Sequence, residues 1–255
     1  MIAIDDRGLL LGDGLFETVL WENGALEAFD AHAARLIAGC AILGLPAPDP
    51  SGLRIAAERA VADARLSDAR AAVRLTWTAG SGGRGLDRPT TLAPRLIASA
   101  APAPKPTTPA RVVISTVRRN EGSPASRLKT LTYLDNVLAR QEARAAGADD
   151  AILLNNRGEI ACASAANVFW FSGDTLLTPA LGCGALAGIM RARVIARANA
   201  ANIPVGEVRE TPECLRGASG VFLTNSLIGL RPISRLGDRD YPRHPLMAAF
   251  DADAC

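Results

Sequence analysis

The chain has 255 residues, 49% of them apolar, and a formal net charge of +2. It can bury a core in one large or two modest domains, and it offers neither a basic surface for nucleic acid nor an acidic tail. No run of 18 apolar residues and no charged-then-apolar leader occurs, so it reads as a cytoplasmic chain without membrane span or signal peptide. The cysteines, Cys40, Cys162, Cys183, Cys214 and Cys255, are odd in number, scattered and never spaced as CxxC. That fits a reducing compartment and argues against a disulfide framework or a zinc site.

In chain order, residues 15–28 predict two strands around the turn signal Glu22-Asn23-Gly24. Asp30 is expected to cap a helix through His32, Arg35 and Leu36 to Leu43, ended by Gly44 and Pro46. A second helix is expected over 51–66, then strands near 70–78 and 93–99 joined by a glycine-rich loop. APAPKPTTP at 101–109 has four prolines and no apolar periodicity, and reads as a linker. Beyond it, RVVIST reads as a strand and residues 131–146 as an amphipathic helix with Leu134, Leu138 and Ala145 on one side. A run of short strands follows, then a helix over 187–201, two more strands and a short C-terminal helix. The pattern predicts a small α+β domain over 1–103, a linker over 104–109 and a larger strand-rich domain with packed helices over 110–255.

Among 28 basic residues only Lys105 and Lys129 are lysines. Positions that need only charge have accepted arginine, so a retained lysine is a candidate for chemistry arginine cannot do, such as attacking a carbonyl. Lys105 lies in the proline-rich linker, where its charge is solvated. Lys129 lies in SRLKTLTYLDNVLAR, against apolar residues, where a desolvated amine becomes nucleophilic.

Gly80-Ser81-Gly82-Gly83-Arg84-Gly85 matches GxGxxG after a strand. The following LDRPTTLAP cannot open the helix a dinucleotide site needs, and no acidic residue stands ~20 positions on. It reads instead as a flexible turn carrying Arg84. GALAGIMRARVIARA differs: a glycine-containing loop enters a helix, whose first-turn N–H groups suit a phosphate. His32 reads as a packing residue on a helix face. With only two histidines, no metal cluster or His-based triad is expected.

DDRGLLLGDGLFET, HAARL at 32–36, LKTLTYLDN at 128–136 and SAANVF at 164–169 stand in the order and spacing of class IV aminotransferases. GALAGIMR at 184–191 and LTNSLIGLRPI at 223–233 extend the resemblance to nearly the whole chain. That family includes branched-chain and D-amino acid aminotransferases and 4-amino-4-deoxychorismate lyase. The resemblance implies PLP fold-type IV, like D-amino acid aminotransferase: two domains, with pyridoxal 5′-phosphate (PLP) between them, usually in a homodimer acting on a small amino substrate. By motif, Lys129 would hold PLP as a Schiff base. Arg35, the N–H groups of Ile189 and Met190 after Gly188, and Ser226 with Leu227 would bind its phosphate. Tyr133 would face its phenolic side.

The chain departs from the pattern at Cys162. Most members carry there a glutamate that pairs with the pyridine nitrogen of PLP. Glu159 is three residues away and, on a regular strand, points to the opposite face, unless a bulge reverses it. The stretch before DDRG is also short. TAGSGGRG at 78–85 and NSLIGLRPI resemble the lyase branch, which makes 4-amino-4-deoxychorismate lyase the leading expectation. A branched-chain or D-amino acid aminotransferase and a non-catalytic PLP-binding protein are the alternatives. Arg84 is the candidate for the substrate carboxylate, and Thr18 in GLFET for the same pocket.

Overall fold

The computed structural model describes residues 2–250. Its chain divides into two compact units, Met1–Pro104 with Leu128–Thr132, and Lys105–Arg127 with Tyr133–Cys255. The break after Pro104 falls in the proline-rich stretch. Residues 128–132 depart from the expected division: the lysine segment, anticipated in the larger domain, clusters with the first unit. The cause is backbone pairing. Phe16 N–H donates to the Lys129 carbonyl (2.9 Å) and Leu131 N–H to that of Gly14 (3.1 Å).

The first unit carries a short helix α1 (Arg7–Leu11), then β1 (Gly14–Glu22), β2 (Ala25–Leu26), α2 (Phe29–Leu43), α3 (Pro50–Asp63), β3 (Ala71–Thr78) and β4 (Arg95–Pro102). Its antiparallel sheet runs β2-β1-β3-β4. Asn23 and Gly24 both take positive φ, so the predicted turn closes the β1–β2 hairpin. Helix α2 ends at Gly44 in the left-handed conformation, as its glycine signal requires. Its start differs from expectation: Ala28 is the N-cap and Asp30 lies inside the first turn. Asp49 caps α3 through the Gly52 N–H (2.8 Å), with Pro50 in the first turn. Leu15 and Val19 of β1 and Val73 and Leu75 of β3 pack with Leu36, Leu53 and Val61 of the two helices. Burying each such side chain contributes roughly 1.5–3 kcal/mol.

The second unit contains β5 (Ala110–Arg119), α4 (Pro124–Arg127), α5 (Leu134–Ala145), β6 (Asp150–Asn155), β7 (Ile160–Ala163), β8 (Asn167–Ser172), β9 (Thr175–Pro179), α6 (Ile189–Ala200), β10 (Val205–Val208), β11 (Gly220–Asn225), β12 (Gly229–Leu236) and β13 (Arg239–Asp240). The strands pair in the order β10-β9-β8-β11-β12-β5-β6-β7, with β13 added on β12. One face of this sheet gathers Val112, Ile152, Leu154, Trp170, Val221, Leu223 and Ile233. The other face of β8 and β11 packs Phe169, Phe171 and Phe222 against Val194 and Ala198 of α6 and against Phe250. Phe169 and Phe222 stack with centroids 5.2 Å apart.

Helix α5 corrects the periodicity reading. Leu134, Val137 and Leu138 are exposed, and the inward face is Asn136, Ala139 and Ala143. Small side chains there let the helix lie close on Ala151 and Leu153. Glu142 fixes its rotation by accepting from Ser115 Oγ (2.5 Å) and Thr116 N–H (2.9 Å) of β5.

The glycine-rich loop opens no helix, so the rejected dinucleotide reading has no support in the backbone. Gly80 has φ +80°, and a Cβ there would fall 2.0 Å from the Ala93 carbonyl oxygen. Gly85 has φ +59° and open space around it. Gly80→Ala is therefore expected to destabilise the first unit by well over the ~1–2 kcal/mol left-handed penalty that Gly85→Ala incurs. Urea denaturation of the two variants checks this; equal losses would contradict it.

Candidate active site

In the first unit the Lys129 segment forms an edge against β1, with Thr130 bridging Leu15. Lys129 is half-buried, and its Nζ lies 4.1 Å from the centroid of the Phe16 ring. Arg74 stacks on the same ring at 3.7 Å. Thr18 is half-buried and, two residues from Phe16, shares its face of β1.

The intervening residue, Glu17, points to the opposite face and is 1% exposed. Arg35 Nε donates to Glu17 Oε1 (2.8 Å) and Arg35 Nη2 to Oε2 (2.7 Å), a bidentate pair. His32 Nδ1 lies 2.7 Å from the same Oε2. His32 is indeed a buried helix-face residue, but it also helps hold a carboxylate. Burial pushes the Glu17 carboxyl up, while Arg35 and then His32 outweigh it, so its pKa lies below its ordinary value of 4.5. Sequence reasoning passed over Glu17, whose signal was an acidic residue at an inward strand position between Leu15 and Val19.

Arg84 is exposed on the glycine-rich loop. The loop itself is organised by Arg7, a buried residue the sequence reading did not single out. Its Nη1 and Nη2 donate to the carbonyls of Asp87 and Leu86 (both 3.0 Å), and its Nε to Asp13 Oδ2 (2.9 Å). Arg88 also holds Asp13, with Nη2 to Oδ1 at 2.5 Å. The Arg88 hydrogen bond is the largest of the effects that keep the Asp13 carboxyl below its usual range.

In the second unit Tyr133 is the half-buried N-cap of α5. Gly188 caps α6 with extended backbone and, having no side chain, makes no capping hydrogen bond to the first-turn N–H groups. A Cβ on Gly188 would sit 2.5 Å from Asn167 Oδ1, and Asn167 Nδ2 donates to the Thr224 carbonyl (2.9 Å). Asn167 thus ties the start of α6 to the end of β11. There Asn225 Oδ1 accepts from the N–H groups of Leu227 (2.8 Å) and Ile228 (2.9 Å). The predicted phosphate contacts at Gly188, Ile189, Met190, Ser226 and Leu227 therefore gather at one end of this sheet.

Cys162 lies on β7 opposite Leu153, and the next pair is Leu154 with Ile160. Ala161 is an extra residue, a β-bulge, and it reverses the parity expected for a regular strand. Glu159 consequently falls on the face of Cys162. Its carboxylate is nevertheless engaged elsewhere: Oε2 accepts from Asn155 Nδ2 (2.7 Å), lies 3.5 Å from Cys183 Sγ, and is 3.5 Å from Arg209. The hydrogen bond from Asn155 is the leading reason its pKa is lowered. Burial pushes the Cys162 thiol up; nearby Arg119 opposes that shift and Asp150 adds to it.

In the first unit an amine lies over an aromatic ring, which suits a carbonyl group, and in the second a twelve-residue helix starts at a glycine near a hydroxyl-bearing turn, which suits a phosphate. These are the marks of a fold-type IV PLP enzyme. The chain belongs to the class IV aminotransferases, whose family model matches residues 14–236. Its cofactor is PLP. It is 29% identical to the aminodeoxychorismate lyase of Vibrio harveyi, over 91% of this chain and 86% of that one. It is 30% identical to a D-alanine aminotransferase of Listeria monocytogenes, over 92% and 82%. The crystal structure of 4-amino-4-deoxychorismate lyase from Pseudomonas aeruginosa matches with a TM-score of 0.88 and 32% identity, covering 98% of this chain and 93% of that one.

Because folding lowers the Glu17 pKa, its contribution to stability is complete above its unfolded value, near 4.5, and is lost as pH falls through the lower folded value. Glu17→Gln is expected to cost about 3 kcal/mol at neutral pH by leaving Arg35 short of its partner, and to flatten the acid limb. Urea denaturation from pH 7 to pH 3 checks both; an unchanged acid slope would contradict the assignment.

Proposed function

We propose that this chain is a 4-amino-4-deoxychorismate lyase, releasing pyruvate and 4-aminobenzoate in cytoplasmic folate biosynthesis. The observation that carries this reading is the missing carboxylate at position 162, with the only nearby acidic candidate on that strand, Glu159, held by Asn155 and Arg209. Bound PLP supplies an electron-withdrawing ring conjugated to the substrate nitrogen, and it withdraws less strongly when its ring nitrogen has no acid partner. A lyase tolerates that weakness because aromatisation of its product supplies driving force. A transaminase has no such help.

In this reading Lys129 would hold the cofactor, and its Nζ would take the proton from the ring carbon that bears the substrate amine. The adjacent C–O bond breaks, its electrons leave with the enolpyruvyl oxygen, and that fragment gains a proton to become pyruvate. Phe16 keeps the amine seated from one side. The helix start at Ile189 and Met190, Ser226 with Leu227, and Arg35 positioned by Glu17 would bind the phosphate, and Tyr133 would face the phenolic side of the ring. Arg84 receives a substrate carboxylate from its exposed loop, where a guanidinium can bind bidentately, and Thr18 lines the same pocket.

The 30% identity to a D-alanine aminotransferase supports a second reading, a transaminase for D-amino or branched-chain amino acids. PLP-saturated protein given fresh aminodeoxychorismate is expected to form fluorescent 4-aminobenzoate at a catalytic rate that Lys129→Ala abolishes. No product above the spontaneous rate, with keto-acid formation from D-alanine or leucine, would replace the lyase by the transaminase. Neither product would leave a PLP-binding protein without catalysis.

The exposed Leu9, Leu10 and Leu11 of α1 and Leu134, Val137 and Leu138 of α5 support a homodimer that covers them. Sedimentation equilibrium is expected to give twice the chain mass of 26.6 kDa. A monomer at micromolar concentration would contradict this.

A further inference from the structure

Arg119, the last residue of β5, is 5% exposed. Its Nη1 donates to Asn136 Oδ1 (3.0 Å), its Nη2 to the Ser126 carbonyl (2.7 Å) and its Nε to the Gly184 carbonyl (3.3 Å). All three acceptors are neutral. Among the described residues it forms no ion pair with a carboxylate, although buried guanidinium groups are ordinarily paired. The acidic residues of the neighbouring strands are committed elsewhere. Asp150 accepts from Ser164 Oγ (2.5 Å) and faces Arg140 Nη2 at 3.2 Å, and Glu159 serves Asn155 and Arg209.

On β6, Arg119 pairs with Asn155 and Cys162 with Leu153, two positions apart and so on one face of the sheet, and desolvation pushes the half-buried Cys162 thiol above its ordinary range while Arg119 opposes that shift. The environment of position 162 is thus a neutral S–H group, a weak donor, backed by an uncompensated cation. Such a place disfavours a second positive charge and favours a lone-pair acceptor, because charges interact strongly in a buried setting.

We propose that Cys162 and Arg119 together keep the pyridine nitrogen of bound PLP unprotonated, so that it accepts a hydrogen bond where a carboxylate would have demanded that it donate one. This rests on the class IV placement of the cofactor ring against position 162. Arg119 acts here as a positioning residue: it sets the local potential and, through Asn136, which donates to the Ser164 carbonyl (2.7 Å), fixes the strand end beside the ring. The inference sharpens the proposed function, since an enzyme built this way is matched to a reaction driven by its product.

The test is ¹⁵N NMR of the holoenzyme loaded with ring-¹⁵N PLP, which reads the protonation state without reference to turnover. The wild-type resonance is expected in the range of a neutral pyridine across roughly pH 6–8, and Cys162→Ser is expected to leave it there. Cys162→Glu is expected to shift it upfield to the pyridinium range, by giving Arg119 its partner and the ring an acid. A pyridinium resonance in wild type would overturn the proposal even if Cys162→Glu failed to fold. A neutral resonance retained in folded Cys162→Glu would overturn it too, by showing that position 162 does not govern the ring nitrogen. Failure of the cofactor to bind at all, seen as absorbance identical to that of free PLP and unaffected by Lys129→Ala, would instead overturn the class IV placement on which both readings stand.

Discussion

The pairing of the Lys129 segment with β1 is the constraint on which the rest of the first unit's site depends. Two backbone hydrogen bonds and the Leu15–Thr130 bridge hold residues 129–131 as an added edge of the sheet. The lysine is therefore placed by main chain. The approach is close enough to dictate the neighbouring sequence. A Cβ on Gly14 would meet the Trp77 carbonyl oxygen at 2.4 Å and Leu131 Cδ1 at 2.9 Å, and one on Gly12 would meet Thr132 at 2.8 Å. The glycines of LGDG are thus part of the lysine's seat. The amine then rests on Phe16, while Arg35 is held by the next residue of the same strand, on its other face.

The two units treat buried charge differently, and the contrast bears on chemistry. In the first, Glu17 is matched by Arg35 and His32, an arrangement that fixes the guanidinium in place. In the second, among the described residues, Arg119 hydrogen-bonds neutral oxygens and no carboxylate. A buried charge in that state carries a desolvation penalty of several kcal/mol that carbonyl dipoles only partly offset. Cys162, on the same sheet face, supplies no charge to offset it.

Much of this was legible in the sequence, because local rules govern it. Asn23-Gly24 closes its hairpin, Gly44 ends α2, and the break in GSGGRG by LDRPTT rules out a helix there. Lys129 stood out because arginine has replaced almost every other lysine, a compositional signal independent of the family resemblance. What stayed hidden depends on long-range pairing. The bulge at Ala161 reverses the face of Glu159 through a register set by β6, and the nearest glycine, Gly158, serves the preceding turn rather than marking the bulge. The inward face of α5 is made of alanines and Asn136, so the more hydrophobic residues on its other side misled the periodicity. Arg7 and Arg119 sit in stretches that look like ordinary solvated charge, and only tertiary contacts with carbonyls distant in sequence give them their roles.

The central claim is that Lys129 is the cofactor's anchor, and the two-lysine composition makes its test unusually clean. The holoenzyme is reduced with borohydride, digested and mapped by mass spectrometry. The account predicts a pyridoxyl group on Lys129 alone, stoichiometric with protein, and none on Lys105. Labelling of Lys105 to the same extent, or no stable adduct on either lysine, would contradict it.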